Sequence, residues 1–159
     1  MAVMGGHTND HLVMQRDFSH AIQFSFIFDW RAPSFNGMLR ALSAQDVTIV
    51  AISFLENFET TIARCVVNYP DIARRVAQEQ IIHYHETTVL PIELDSASDM
   101  VKVSNTLFSA EIKIHYLYPF LTRPRGKVGL VLQTENNAFA ANILASTGIQ
   151  IISQDDIAR

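Results

Sequence analysis

The sequence predicts an α+β fold made of two βαββαβ repeats, each an antiparallel sheet with its helices on one face. Three observations predict it. Apolar residues alternate with polar ones over residues 22–28 and again over 112–120, the period of a strand with one buried face. Between such runs they recur at i, i+3, i+4 and i+7, the stripe of a helix that buries one side. The whole order then returns once, at an offset of about 65 to 67 residues: Phe35 matches Met100, Leu42 matches Leu107, Val47 matches Ile112 and Ile82 matches Ile149.

Residues 1–19 show neither period and read as a polar arm, dispensable for folding. Ile22, Phe24, Phe26 and Phe28 then share one strand face, and Gln23, Ser25 and Asp29 the other. Residues 30–34 contain Pro33 and read as a turn, after which Phe35, Met38, Leu39 and Leu42 mark a helix. A second register puts the turn at Asn36-Gly37 and starts that helix near Met38, which removes Phe35 from its inner face. Residues 47–55 are β-branched and apolar on both faces, the pattern of a buried strand. Glu56-Asn57-Phe58-Glu59 is a hairpin turn into a strand through Ile62, Cys65, Val66 and Val67. Pro70 suits the first turn of a helix whose inner face is Ile72, Ala73 and Val76.

Residues 81–94 are extended and too long for one ordinary strand, and the join between repeats falls inside them. With no flexible linker there, the repeats are expected to hold a fixed orientation. The second repeat follows with Met100, Val103, Leu107 and Phe108 on a helix, and Ile112, Ile114, Tyr116, Tyr118 and Phe120 on a strand. Arg123-Pro124-Arg125-Gly126 turns into Val128, Leu130, Val131 and Leu132. Phe139, Ile143 and Leu144 mark a helix that Gly148 can end, and Ile149, Ile151 and Ile152 form the last strand. The expected units are the arm at 1–19, a first domain at 20–88 and a second at 89–159.

Composition narrows the function. The chain has 159 residues, 48% hydrophobic and 18% charged, enough to build a core and too ordered in pattern to remain unfolded. A net charge of -4 argues against nucleic acid as a partner, because neutralising phosphates needs a clustered basic surface. No apolar run approaches the ~20 residues that span a bilayer, and the first residues have no secretory apolar core, so the expectation is a cytoplasmic protein away from membranes. The single cysteine, Cys65, excludes an internal disulfide framework and fits a reducing compartment.

The second repeat also carries a family resemblance. Ala110-Glu111-Ile112-Lys113-Ile114-His115-Tyr116-Leu117-Tyr118, Gly126-Lys127-Val128-Gly129-Leu130-Val131-Leu132 and Ser146-Thr147-Gly148-Ile149-Gln150-Ile151-Ile152-Ser153 resemble three segments of the ACT domain. They match its helix 1 to strand 2 passage, its strand 3 and its closing strand. In the first repeat Ala44-Gln45-Asp46-Val47-Thr48-Ile49 takes the place of the helix-end and strand 2 segment. The resemblance runs from about His20 to the C-terminus and is greatest to stand-alone tandem ACT proteins. It implies ferredoxin-like repeats that sense small molecules of amino-acid metabolism, binding an amino acid at the turn between strand 1 and helix 1.

ACT domains usually carry a Pro-Gly pair in that turn, the glycine donating its N–H to the ligand. Here the pair reads Ala32-Pro33 in the first repeat, and Ala97-Ser98 or Ser98-Asp99 in the second. Proline has no N–H to give. The first turn still offers Asp29 for an ammonium, Arg31 for a carboxylate and Trp30 as an aromatic wall, at a strand end that leads into a helix N-terminus. A plain surface turn with Trp30 packed on a neighbour explains the same residues. The expected ligand-binding set is Asp29, Trp30, Arg31, Ala32, Pro33, Ser34, Phe35, Asn36 and Thr48, with weak or narrow binding of one amino-acid-like molecule. Asp95 and Asp99 would repel a carboxylate, so the second turn is expected to bind none.

No other motif assembles an active centre. His83 and His85 share a strand face, which suits either a metal or two ordinary exposed histidines, and no third ligand accompanies them. His7 and His11 are four apart within the arm. Cys65 lies in a strand expected to be buried, where a thiol is an inert small hydrophobe. The charges at 123–127 suit a phosphate contact or a solvated hairpin. No catalytic residue, cofactor or metal is therefore expected, and the chain is not read as an enzyme. Three roles remain: a regulatory sensor, a structural or oligomerisation module that has lost its ligand, and a regulatory subunit resembling the small subunit of acetolactate synthase, with an enzyme as partner. The apolar strands Thr48-Val50-Ile52-Phe54 and Tyr116-Tyr118-Phe120 further suggest a homodimer through sheet edges or the helix-free sheet face.

Overall fold

The computed structural model describes residues 20–29, 34–123 and 126–159. The order is β1 (Ala21–Asp29), α1 (Phe35–Ser43), β2 (Ile49–Glu56), β3 (Thr60–Val67), α2 (Pro70–Glu79) and β4 (His83–Leu94) in the first half. A 3-10 turn (Ala97–Asp99), α3 (Met100–Ser109), β5 (Ile114–Pro119), β6 (Val128–Thr134), α4 (Asn137–Ser146), β7 (Gln150–Ile151) and α5 (Gln154–Ile157) follow. These are two ferredoxin-like βαββαβ units in tandem. β4 belongs to both: residues 83–89 pair antiparallel with β1, and residues 90–94 pair antiparallel with β6. The strand order is β2-β3-β1-β4-β6-β5, with β7 also pairing β4. No helix of the described residues is long and apolar enough to cross a membrane.

The helix ends show how far the duplication extends. Each of the four main helices ends in one residue of positive φ: Asp46 at 56°, Ile81 at 55°, Glu111 at 56° and Gly148 at 87°. The next N–H then reaches back to a carbonyl of the last turn: Val47 to Leu42 (3.0 Å), Ile82 to Ala77 (2.9 Å), Ile112 to Leu107 (2.9 Å) and Ile149 to Leu144 (3.1 Å). These bonds satisfy carbonyls that the helix leaves unpaired. At the other end Ser34 accepts from the Gly37 N–H at 3.0 Å, so α1 starts at Phe35 and the Asn36-Gly37 register falls away. The Asn57 side chain organises the β2–β3 hairpin by accepting from the N–H groups of Glu59 and Thr60.

A bulge sits at the same place in each repeat, between Ile49 and Ala51 in β2 and between Ile114 and Tyr116 in β5. One extra residue turns the following side chains to the opposite face. Ile49 therefore packs toward the helices while Val50 and Ala51 face away; Ile114 packs toward the helices while Tyr116 and Tyr118 face away. The single continuous faces read from alternation are thus split at these two bulges.

Three buried clusters result. Phe24, Phe26 and Phe28 pack with Met38, Leu42 and Val76 under the first helix pair, and Leu90, Ile92 and Leu132 with Val103, Leu107 and Leu144 under the second. The third joins the helix-free faces of the two repeats: Ala21, Ala51, Val66 and Val89 meet Tyr118, Phe120, Val131 and Ile152. The sheet curls far enough for its edge strands to touch at an Ala51–Phe120 bridge, with the Leu121 N–H on the Val50 carbonyl at 2.9 Å. The apolar surface of Tyr118 and Phe120, expected to serve a dimer, is covered inside one chain.

Polar groups lock this contact. Tyr118 Oη donates to Gln23 Oε1 at 2.7 Å, and Gln23 Nε2 donates to Tyr116 Oη at 2.9 Å and Ser25 Oγ at 3.3 Å. Gln23 is fully buried, so each bond replaces water it cannot reach. Burial also pushes the Tyr118 phenol well above its usual pKa. Gln154 on α5 ties the C-terminus to the first repeat, accepting from the Ile22 N–H at 3.1 Å and donating to the Val67 carbonyl at 2.9 Å.

Three expectations change here. β2 is not a buried strand: only Ala51 is buried, and Phe54 and Leu55 are about half exposed, because β2 ends the strand order and pairs along its length with β3 alone. Phe108 and Phe139 are exposed, since Val103 and Leu107, and Ala140, Ala141 and Leu144, occupy the centres of their helix stripes. The last strand stops at Ile151, because Ser153 opens a capping box with Asp156 that starts α5.

Candidate functional site

Each repeat places the end of its first strand beside the start of its first helix. In the first repeat Asp29 ends β1 opposite Thr60 and is exposed. Trp30, Arg31, Ala32 and Pro33 lie outside the described residues. Ser34 caps α1, and Asn36 lies in its first turn. The Phe35 ring meets Phe28 edge-on at 6.0 Å and Phe54 at 5.3 Å, so two strands and a helix contribute one aromatic wall. Sequence reasoning named Phe35 alone; Phe28 and Phe54 join it through pairing across β3, which no local pattern displays.

Thr48 stands apart from this group. It follows the C-terminal end of α1, a helix of nine residues, about 13 Å from the capped end. Its N–H donates to Asn68 Oδ1 at 2.8 Å and its carbonyl accepts the Asn68 N–H at 3.1 Å, a clamp between β2 and β3. Lys113 and Glu135 repeat that clamp in the second half at 2.9 and 3.0 Å.

The corresponding turn of the second repeat borders a cleft of about 300 Å³, lined by Glu93, Asp95, Asp99, Lys102, Lys127 and Gln150 among others. Its carboxylates are engaged internally. Lys127 pairs with Asp95, and the Arg123 guanidinium pairs with Glu93, its Nε 2.9 Å from the carboxylate. The hydrogen bond from Lys127, then the positive charges of Lys127 and Lys102, hold the Asp95 carboxyl below its usual range. Asp99 is engaged as a cap, accepting from the Ser96 N–H at 3.1 Å. Gly129 makes room for the Arg123 and Phe120 side chains: a Cβ there would stand 2.7 Å from the Phe120 ring and 2.8 Å from Arg123. Lys102, Lys127 and Gln150 reach this cleft from three separate parts of the chain, so only the tertiary structure reveals them.

The remaining candidates separate cleanly. His83 and His85 are exposed on one face of β4, opposite Ile27 and Ser25. Among the described residues no three His, Cys, Asp or Glu side chains stand close enough to hold a metal. Cys65 is fully buried and its thiol is pushed up to about 12, so it stays protonated at neutral pH.

A family model described as an ACT domain pair matches residues 20–159. This chain belongs to the ACT domain family. ACT domains are regulatory modules, and here two of them share a strand. Among solved structures, the chain is similar to protein BT0572 from Bacteroides thetaiotaomicron, with a TM-score of 0.80 and 18% identity over 89% of this chain and 98% of that one. It is also similar to the regulatory subunit of aspartate kinase from Thermus thermophilus, with a TM-score of 0.54 and 12% identity over 81% and 91%. No curated protein matches the chain.

Proposed function

We propose that this ACT pair is a regulatory sensor that binds one amino-acid-like small molecule at the first turn, residues 29–36, and leaves the second turn empty. The observation that carries the reading is the contrast between the two turns. The first has an aromatic wall of Phe28, Phe35 and Phe54 at the start of α1, and Asp29 ends β1 there, exposed on the strand face opposite Phe28. The second has its carboxylates engaged by Lys127, Arg123 and the Ser96 N–H. A ligand entering the second turn must first displace an ion pair, and a pocket mostly lined by charge gives little apolar burial in return. In the first turn Asp29 would take the ammonium and Arg31 the carboxylate. Pro33 cannot supply the family's usual N–H, which costs about ten- to hundred-fold in affinity and makes the site weak or narrow.

The sensor acts in the cytoplasm on an enzyme partner, as a homodimer. The helix-free faces are closed within the chain, so the surface left for dimerisation is the outer part of β2, where Phe54 and Leu55 are exposed beside the fully exposed Phe58. A thermal-shift panel of the common amino acids tests the reading. One or a few should raise the melting temperature. Silence across the panel would instead favour a structural module.

A further inference from the structure

At the mouth of the contact between the two helix-free faces, hydrogen-bond donors gather with no carboxylate paired to them among the described residues. We propose that Arg64, Ser25, Ser53 and Tyr116 form a second binding site, for a small oxyanion such as a carboxylate or phosphate group, at the seam between the repeats. The register places Arg64 of β3 directly opposite Ser25 of β1 on one side and Ser53 of β2 on the other. Ser25 in turn stands opposite His85 of β4. The row Ser53–Arg64–Ser25–His85 therefore crosses four neighbouring strands on the helix-free face, since Ala51, Val66 and Gln23, two residues further along the same strands, lie in the inter-repeat contact.

Arg64 is half-buried, and its guanidinium lies over the Tyr116 ring, 4.2 Å from the centroid. Among the described residues it has neither a carboxylate partner nor a hydrogen bond, whereas Arg74 holds Asp71 and Glu86, and Arg123 holds Glu93. The aromatic face answers part of the charge but none of the five N–H donors. The hydroxyls beside it point the same way chemically. Gln23 has its oxygen engaged by Tyr118, so its nitrogen donates to Tyr116 Oη and Ser25 Oγ. Each of those hydroxyls already accepts, which leaves its own proton to give away. A guanidinium fork with two or three hydroxyl donors and no carboxylate in the row matches an oxyanion. A group bound there would touch both repeats, through Arg64 and Ser25 of the first and Tyr116 of the second. The site lies on the face of the sheet opposite α1, and stands independently of the first-turn reading.

The test titrates the whole protein with sodium phosphate and, separately, sodium acetate, with ionic strength held constant by sodium chloride, following the Arg64 Nε–H and Ser25 amide resonances. Saturable shifts with at least one of the two anions are expected, and the anion that saturates identifies the class. Arg64→Gln should weaken that binding about tenfold or more, with smaller losses for Ser25→Ala and Tyr116→Phe. Shifts that never saturate, or saturable binding that survives Arg64→Gln, would overturn the site. If Arg64→Gln does not fold, Ser25→Ala decides, because an unchanged affinity in that variant would count equally against it. Binding that disappears with Arg31→Ala belongs to the first turn and also contradicts the proposal.

Discussion

The two repeats agree in backbone and differ in chemistry. Both place a positive-φ residue at the end of each helix, both put a bulge one residue into the second strand, and both clamp that strand to the end of the third with a side chain. Yet at the strand 1 to helix 1 turn one presents aromatic rings and the other a set of internal ion pairs. The difference teaches that backbone geometry and site chemistry can separate after duplication. Caps and bulges constrain φ and ψ, which many residue types satisfy, whereas a ligand is recognised by side chains that the fold leaves free to vary. Under the proposed reading, one ligand is therefore not expected to occupy both turns.

If the repeats are mechanically one body, damage to either should be felt by both. Phe26→Ala in the first core is expected to cost about 3–5 kcal/mol and Leu132→Ala in the second about 2–5 kcal/mol. Each should move one urea transition seen identically by a probe in either repeat, because β4 and the Gln23–Tyr118 contact join them. Two separate transitions would show that the repeats are independent. A smaller effect distinguishes the helix ends. Ile81 is a β-branched residue at φ 55°, largely exposed, where the second repeat has Gly148. Ile81→Gly should stabilise the protein by about 1 kcal/mol, and Gly148→Val should destabilise it by about 1–2 kcal/mol, in equilibrium unfolding. A Cβ at Gly148 meets nothing nearer than Lys102 Nζ at 3.8 Å, so the second effect is one of backbone strain rather than packing. The smallest effect concerns the ends. A chain starting at Ser19 is expected to keep its melting temperature, and a loss of several degrees would place residues 1–18 in the core or an interface.

Elements with a local signature were legible in the sequence. The strands through Phe24–Phe26 and Val128–Leu132, the stripe of Met38 and Leu42, and Pro70 at a helix start each announce themselves within a few residues. What escaped depends on positions far apart in the chain. The bulges at Val50 and His115 leave alternation looking intact while reversing the faces it implies. The packing of one helix-free face on the other made Gln23 a buried residue, although its polar side of β1 reads as solvent-facing. α5 is only four residues long and has no period to detect, yet its Gln154 reaches Ile22 and Val67. At the candidate site Ser34 and Phe35 were readable from capping and helical spacing. Thr48, expected beside them, follows the opposite end of the intervening helix.

The contrast between the turns is tested most directly by calorimetry on the amino acid that gives the largest thermal shift, comparing the unaltered protein with Arg31→Ala and Asp99→Ala. One ligand per chain is predicted, with binding lost in Arg31→Ala and kept in Asp99→Ala. Tight binding abolished by Asp99→Ala and indifferent to Arg31→Ala would place the ligand in the second turn and contradict the account.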